Sequence, residues 1–155
     1  MNSELKKQYA MRISQANNVQ MIIITYEVIG TYLDEALMNA ESISYTENID
    51  MAKRCIDEMM YNLHYEYDLA KNLKDLYLHM KRRLRQAVWE NDRDAVLEVK
   101  RLVNSLKEAY LKIVDYDDSA PIMQNTQSVI TGITYGRNQI LDEVSQDTGN
   151  RGYRI

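Results

Sequence analysis

The sequence predicts an all-α fold, and three features predict it. Apolar residues recur at three- and four-residue steps over long stretches; only five Gly and one Pro interrupt the 155 residues; and short polar clusters with capping residues separate the periodic runs. The cleanest stripe lies between residues 69 and 89, where Leu69, Leu73, Leu76, Tyr77, Met80, Leu84, Ala87 and Val88 share one face. A helix of this length spans about 31 Å, and it must bury that face against partners because isolated helices gain too little in water.

Taken in order, residues 1–16 carry only isolated apolar residues, Leu5, Tyr9, Met11 and Ile13, with no sustained helical pattern, and are expected to form an arm that docks by those side chains. Asn17 or Asn18 is suited to cap a first helix running to about Ala40, since a short amide accepts from the free N–H groups of the first turn. This helix has two stripes. Ile22, Tyr26, Ile29, Leu33 and Leu37 form one; Met21, Ile24, Val28 and Tyr32 form another, about 120–140° or more away around the axis. Large exposed apolar patches are uncommon on monomers, so the second face calls for a cover: the arm, the chain's own C-terminal part, or a partner that displaces the arm.

Residues 41–48 read as a loop with Thr46 or Asn48 capping a second helix from Ile49 to about Tyr67, whose stripe is Ala52, Ile56, Met59, Met60, Leu63 and Tyr67. A short break at Tyr67-Asp68 leads into the long helix, and Asn91-Asp92 caps a last core helix with the stripe Val96, Val99, Leu102, Val103, Leu106, Tyr110 and Ile113. Four long helices joined by short loops favour an antiparallel up-down four-helix bundle over residues 17–116, within one domain of residues 1–155. Pro121 fits a helix's first turn, and Ile122, Val129, Ile130, Ile133, Ile140, Leu141 and Val144 keep helical spacing past Gly132 and Gly136. An additional C-terminal helical segment is expected at 119–144, then a polar tail at 145–155.

Several function classes are excluded. The net charge is −4 with both signs interspersed, and the basic run Lys81, Arg82, Arg83, Arg85, with Asp75 as a nearby partner, is read as a solvated helix face rather than a nucleic-acid site. The lone Cys55 forms no internal disulfide, and no secretory signal or membrane-length apolar run is present, which indicates a reducing, cytosolic setting without membrane insertion. Di-metal bundles need Glu-x-x-His, whereas Tyr61 and Leu76 precede His64 and His79 by three. A phosphorelay bundle would follow its His with small residues; His79 is followed by Met80, Lys81, Arg82 and Arg83. No phosphate loop or nucleophile motif is present, so neither catalysis nor a cofactor or metal is expected. Twelve Tyr and nine Met with no Phe suit surfaces that accept an apolar helix.

Against this background the chain resembles the FliS-type flagellar export chaperones. Tyr9, then Ser14-Gln15-Ala16-Asn17-Asn18, then an apolar run ending at Tyr26, is similar to the family's N-terminal pattern, with Asn17-Asn18 in place of Ser-Pro and Val28 in place of a Gly. Ala70, Asn72-Leu73, Leu76-Tyr77, Met80, Arg82-Arg83-Leu84 and Ala87 resemble its Ala-x-Asn-Leu…Leu-Tyr-x-x-Met-x-x-Arg-Leu signature, with Tyr67-Asp68 where the family has Gly-Gly. The resemblance covers roughly residues 9–115. It implies a bacterial cytoplasmic chaperone, not an enzyme, that binds the C-terminal segment of flagellin, prevents premature polymerisation and delivers it to the flagellar export apparatus. A helical adaptor or regulator of flagellar assembly using the same surface is the alternative. The expected partner-binding residues are Met21, Ile24, Val28 and Tyr32 as one wall, Tyr9, Met11 and Ile13 as a movable cover, and Leu78 and Trp89 on the outer face of the long helix.

Overall fold

The computed structural model describes residues 1–116 and Pro121. Among them the chain is all-helical: α1 (Ser3–Ser14), α2 (Asn18–Met38), α3 (Ile43–Tyr61), α4 (Asp68–Glu90) and α5 (Arg93–Leu111), closed by a 3-10 turn at Val114–Tyr116. Apart from Pro121, the expected helical segment at 119–144 and the tail at 145–155 lie outside the described residues.

Within the expected docking arm, residues 1–16, the chain forms a helix that sequence periodicity did not indicate. Asn2 caps α1 by accepting from the Leu5 N–H, and Tyr9, Ala10, Ile13 and Ser14 are buried. Periodicity missed this helix because its apolar face is short. An isolated helix of about 12 residues is marginal in water, so α1 owes its order to docking. Asn17 then caps α2 with a full capping box, its side chain accepting from the Gln20 N–H while Gln20 Oε1 accepts from the Asn17 N–H.

The second expected helix sits in the wrong register along the chain. It begins at Ile43, capped by Ser42 rather than Thr46 or Asn48, and ends at Tyr61 rather than near Tyr67. The polar run 41–48 looked like a loop, but Tyr45 and Ile49 fall one helical turn apart and are both buried, and the Tyr45 hydroxyl donates to the Ala87 carbonyl 3.1 Å away. Asn48 bonds locally instead, its amide donating to the Ser44 carbonyl at 2.8 Å. Tertiary burial thus overrides weak local propensity. Leu63 remains buried in the connector after the helix, whereas Tyr67, expected on the stripe, is exposed.

α4 matches its expected span closely, and Ala70, Leu73, Tyr77, Met80, Leu84 and Ala87 form its buried face. Leu69, in its first turn, is exposed beside Tyr65 and Tyr67 and does not join the core. The Tyr67-Asp68 corner needs no glycine, since Tyr67 is extended at φ −100° and ψ 139°. The one non-glycine residue with positive φ among the described residues is Asn91, at 53°, which ends α4 in the left-handed conformation; Asp92 then caps α5, accepting from the N–H groups of Asp94 and Ala95.

α2 packs on both α3 and α5, and α4 packs on both α3 and α5. α1 rests chiefly on α2. At the centre the Tyr26 and Tyr77 hydroxyls, both buried, share a 2.5 Å hydrogen bond between α2 and α4, so two large side chains enter the core without stranding a polar atom. On the rim, Lys81 pairs with Asp57, Lys100 with Asp34, and Glu98 accepts from Arg83 Nε at 2.6 Å and contacts His79 Nε2 at 2.9 Å. Those bonds from His79 and Arg83 lower the Glu98 pKa from the usual carboxylate value. The basic run of α4 is therefore partly paired across helices, by Asp57, Asp92 and Glu98.

Two substitutions test the helix geometry. A methyl group at Gly30, mid-α2, would meet no heavy atom within 4 Å, so Gly30→Ala is expected to raise stability by about 0.5–1 kcal/mol in urea unfolding. Asn91→Val, forced into a left-handed backbone, is expected to lower it by about 1–2 kcal/mol, while Asn91→Gly holds it near the parent value.

Candidate partner-binding surface

α2 is the source of the site because it has more apolar surface than a two-sided packing can bury. Eleven of its residues are buried, including every member of the second stripe: Met21, Ile24, Val28 and Tyr32. The helix that runs along this side is α1, held by three polar contacts that advance along α2 as they recede along α1. Arg12 donates to Glu27 at 2.5 Å, the Tyr9 hydroxyl lies 3.0 Å from Thr31 Oγ1, and the Met1 ammonium pairs with Glu35. Because the Thr31 hydroxyl already donates to the Glu27 carbonyl, Tyr9 is the donor to Thr31.

At 100° per residue, Thr31 lies about 40° and Glu35 about 80° round from Glu27, with Ile24 about 60° and Val28 about 100° round in the same direction. The polar latches are thus interleaved with the apolar stripe. Tyr9 and Ile13, one turn apart on α1, are buried with it in one core cluster. Met11 faces the other way and is 59% exposed, because it lies about 200° from both. It is not one of the covering side chains.

Electrostatics favours the closed latch. The hydrogen bond and charge of Glu27 raise the Arg12 pKa further, against partial desolvation, and the guanidinium also stands 5.8 Å from the Tyr9 ring centroid. Both charges remain substantially solvated, so the pair is worth only about 0.2–1 kcal/mol. Burying Ile13 contributes more, about 1.5–3 kcal/mol. α1 is anchored by a few side chains and is flanked on both sides by open grooves.

One groove, ≈ 460 Å³, runs between α1 and α3 over Tyr32, with Lys6, Glu35, Asn48 and Met51 on its walls. The other, ≈ 360 Å³, lies between the end of α1 and the end of α5, floored by Ile23 and Ile24 and walled by Ala16, Leu111 and Val114. Ile23, Leu111 and Val114 were not expected as surface residues. The sequence signal for the latch was present in Glu27, Thr31 and Glu35, a line of hydrogen-bonding residues at four-residue steps beside the stripe; nothing local marks Leu111 or Val114, which come together with Ile23 only through folding.

The other expected contacts lie elsewhere. Leu78 is half-buried on α4, and Trp89 is 89% exposed near its end. Neither adjoins the α1 grooves. His64 contacts Glu66, and His79 is tied to Glu98. Among the described residues there is no group of three or more His, Cys, Asp or Glu able to hold a metal, and no helix is long and apolar enough to cross a membrane.

No curated protein matches the chain in sequence. The family described as "Flagellar protein FliS" matches residues 1–117, which are the residues that build α1 to α5 and the latch between α1 and α2. With three-quarters of its length matched, the chain belongs to the FliS family and is a FliS-type flagellar chaperone.

Proposed function

We propose that this protein acts in the bacterial cytoplasm by binding the C-terminal helical segment of flagellin, keeping it from premature polymerisation and delivering it to the flagellar type III export apparatus. The observation that carries this reading is α1: a short helix, latched by polar contacts, lying on an apolar strip of α2 that is as long as the helix itself. An aggregation-prone amphipathic segment could exchange for α1 and lay its own apolar stripe against Ile24 and Val28, in the helix-in-groove mode. Tyr9 and Ile13 are then the movable cover, and Met21, Ile24, Val28 and Tyr32 the wall beneath. Affinity in this scheme is the apolar area gained less the cost of undocking α1 and ordering the incoming segment.

The platform we infer is an antiparallel up-down bundle of α2 to α5. Support comes from the cross-helix pairs: Tyr45 with Ala87 and Asp57 with Lys81 advance on α3 while receding on α4, and Tyr26 with Tyr110 and Asp34 with Lys100 do the same for α2 and α5. A rigid platform with one loosely held helix is what exchange requires, because undocking α1 then leaves the rest folded. The exposed Trp89 and half-buried Leu78 would extend contacts over the outer face of α4.

Titration calorimetry with the C-terminal segment of flagellin from the same organism is expected to give saturable heat at micromolar concentration; none would remove flagellin as the partner and leave the adaptor reading. The latch sets a second expectation. Arg12→Ala loosens α1 by at most about 1 kcal/mol, so it should tighten flagellin binding up to about fivefold, and deletion of residues 1–13 should not weaken it. A marked loss of affinity in either variant would show that α1 is a direct contact rather than a cover.

A further inference from the structure

α5 carries its apolar line past the point where its neighbours cover it. Val96, Val99 and Val103 are buried, Leu106 and Tyr110 are half-buried, and Leu111 and Ile113 are 41% and 47% exposed. Leu111 and Val114 form one wall of the ≈ 360 Å³ cleft opposite Ala16, above Ile23 and Ile24. The charged residues lining that cleft, Arg12 and Glu27, are paired with each other, so it presents no uncompensated charge. Gln15 and Gln20 complete the lining, so an uncharged occupant that combines apolar side chains with hydrogen-bonding groups suits it; a charged one would lose hydration with no partner in return.

We propose that the occupant is residues 119–136 of this same chain. The last helical turn described ends at Tyr116, two residues beyond the wall residue Val114, so the following residues start beside the cleft. In a sequence that is 27% charged, residues 119–136 contain no Asp, Glu, Lys, Arg or His, and they supply Ile122, Val129, Ile130 and Ile133. Position and lack of charge both match the cleft, which at ≈ 360 Å³ has room for a few of the segment's side chains. Because the cleft borders Ile24 and the Arg12–Glu27 latch, this segment would act on the same face of α2 as α1, as an intramolecular occupant that any incoming segment must displace. The assignment does not depend on which filament protein the chain binds.

The test uses the full chain. A nitroxide is placed at Ser128→Cys, since the native Cys55 is buried and protected, and the methyl signals of the isoleucines are followed by NMR. Loss of the Ile23 and Ile24 signals is expected, with Ile43, beyond the opposite end of α2, unchanged. Ile130→Asp with Ile133→Asp, which leaves the described helices untouched, should restore the Ile23 and Ile24 signals; so should Leu111→Asp with helical circular dichroism retained. Unbroadened Ile23 and Ile24 in the labelled parent, or broadening that survives Ile130→Asp with Ile133→Asp, would overturn the proposal. Mixing nitroxide-bearing chains with separate isotope-labelled chains distinguishes a second copy: broadening in that mixture would assign the cleft to an intermolecular contact and overturn the intramolecular one.

Discussion

The structure depends on one constraint, the need to remove α2 from water on nearly every side. Met21 to Tyr26 are six consecutive buried residues, and Val28, Ile29, Tyr32, Leu33 and Ala36 continue the pattern. A helix with a single stripe can be satisfied by two neighbours in a bundle; α2 cannot. α3 and α5 flank it, and the Tyr26–Tyr77 hydrogen bond ties it to α4, but the stripe containing Ile24 and Val28 still needs a cover. α1 supplies that cover, so an ordinary packing requirement accounts for the helix that the proposed binding mode would displace.

The same constraint separates a part of the molecule tied together by many long-range contacts from one tied by few. The Tyr45 to Ala87 hydrogen bond, the Tyr26–Tyr77 pair and the valines of α5 knit α2 to α5 together through contacts between residues far apart in sequence. α1 is joined by a handful of side chains and by polar groups at its edge. Polar latches give direction and register at small energetic cost, since a pair such as Arg12–Glu27 retains most of its stabilisation in water when opened. Hydrophobic burial alone would hold α1 without specifying its register on α2.

Family membership and local geometry meet at residues 9–32. The resemblance led to Tyr9 and to the apolar run ending at Tyr26, and the structure places Tyr9 on Thr31, five residues beyond that run. Val28, which stands where the resemblance expects a glycine, is fully buried, so its side chain fills the strip beneath α1. The corner before α4 is likewise built without glycine, by an extended Tyr67.

By itself the sequence determined that the chain is helical, where α4 and α5 lie, and that α2 has two apolar faces, because periodicity and capping are local properties carried by residues three or four apart. It could not place α3, whose start is decided by Tyr45 reaching the Ala87 carbonyl forty-two residues away. Nor could it reveal α1, whose twelve residues are too few to declare a helix without the surface they dock on. Which neighbour would cover each of the two faces of α2 was also beyond it. That was decided only in the folded molecule, where neighbours distant in sequence compete for the same side chains.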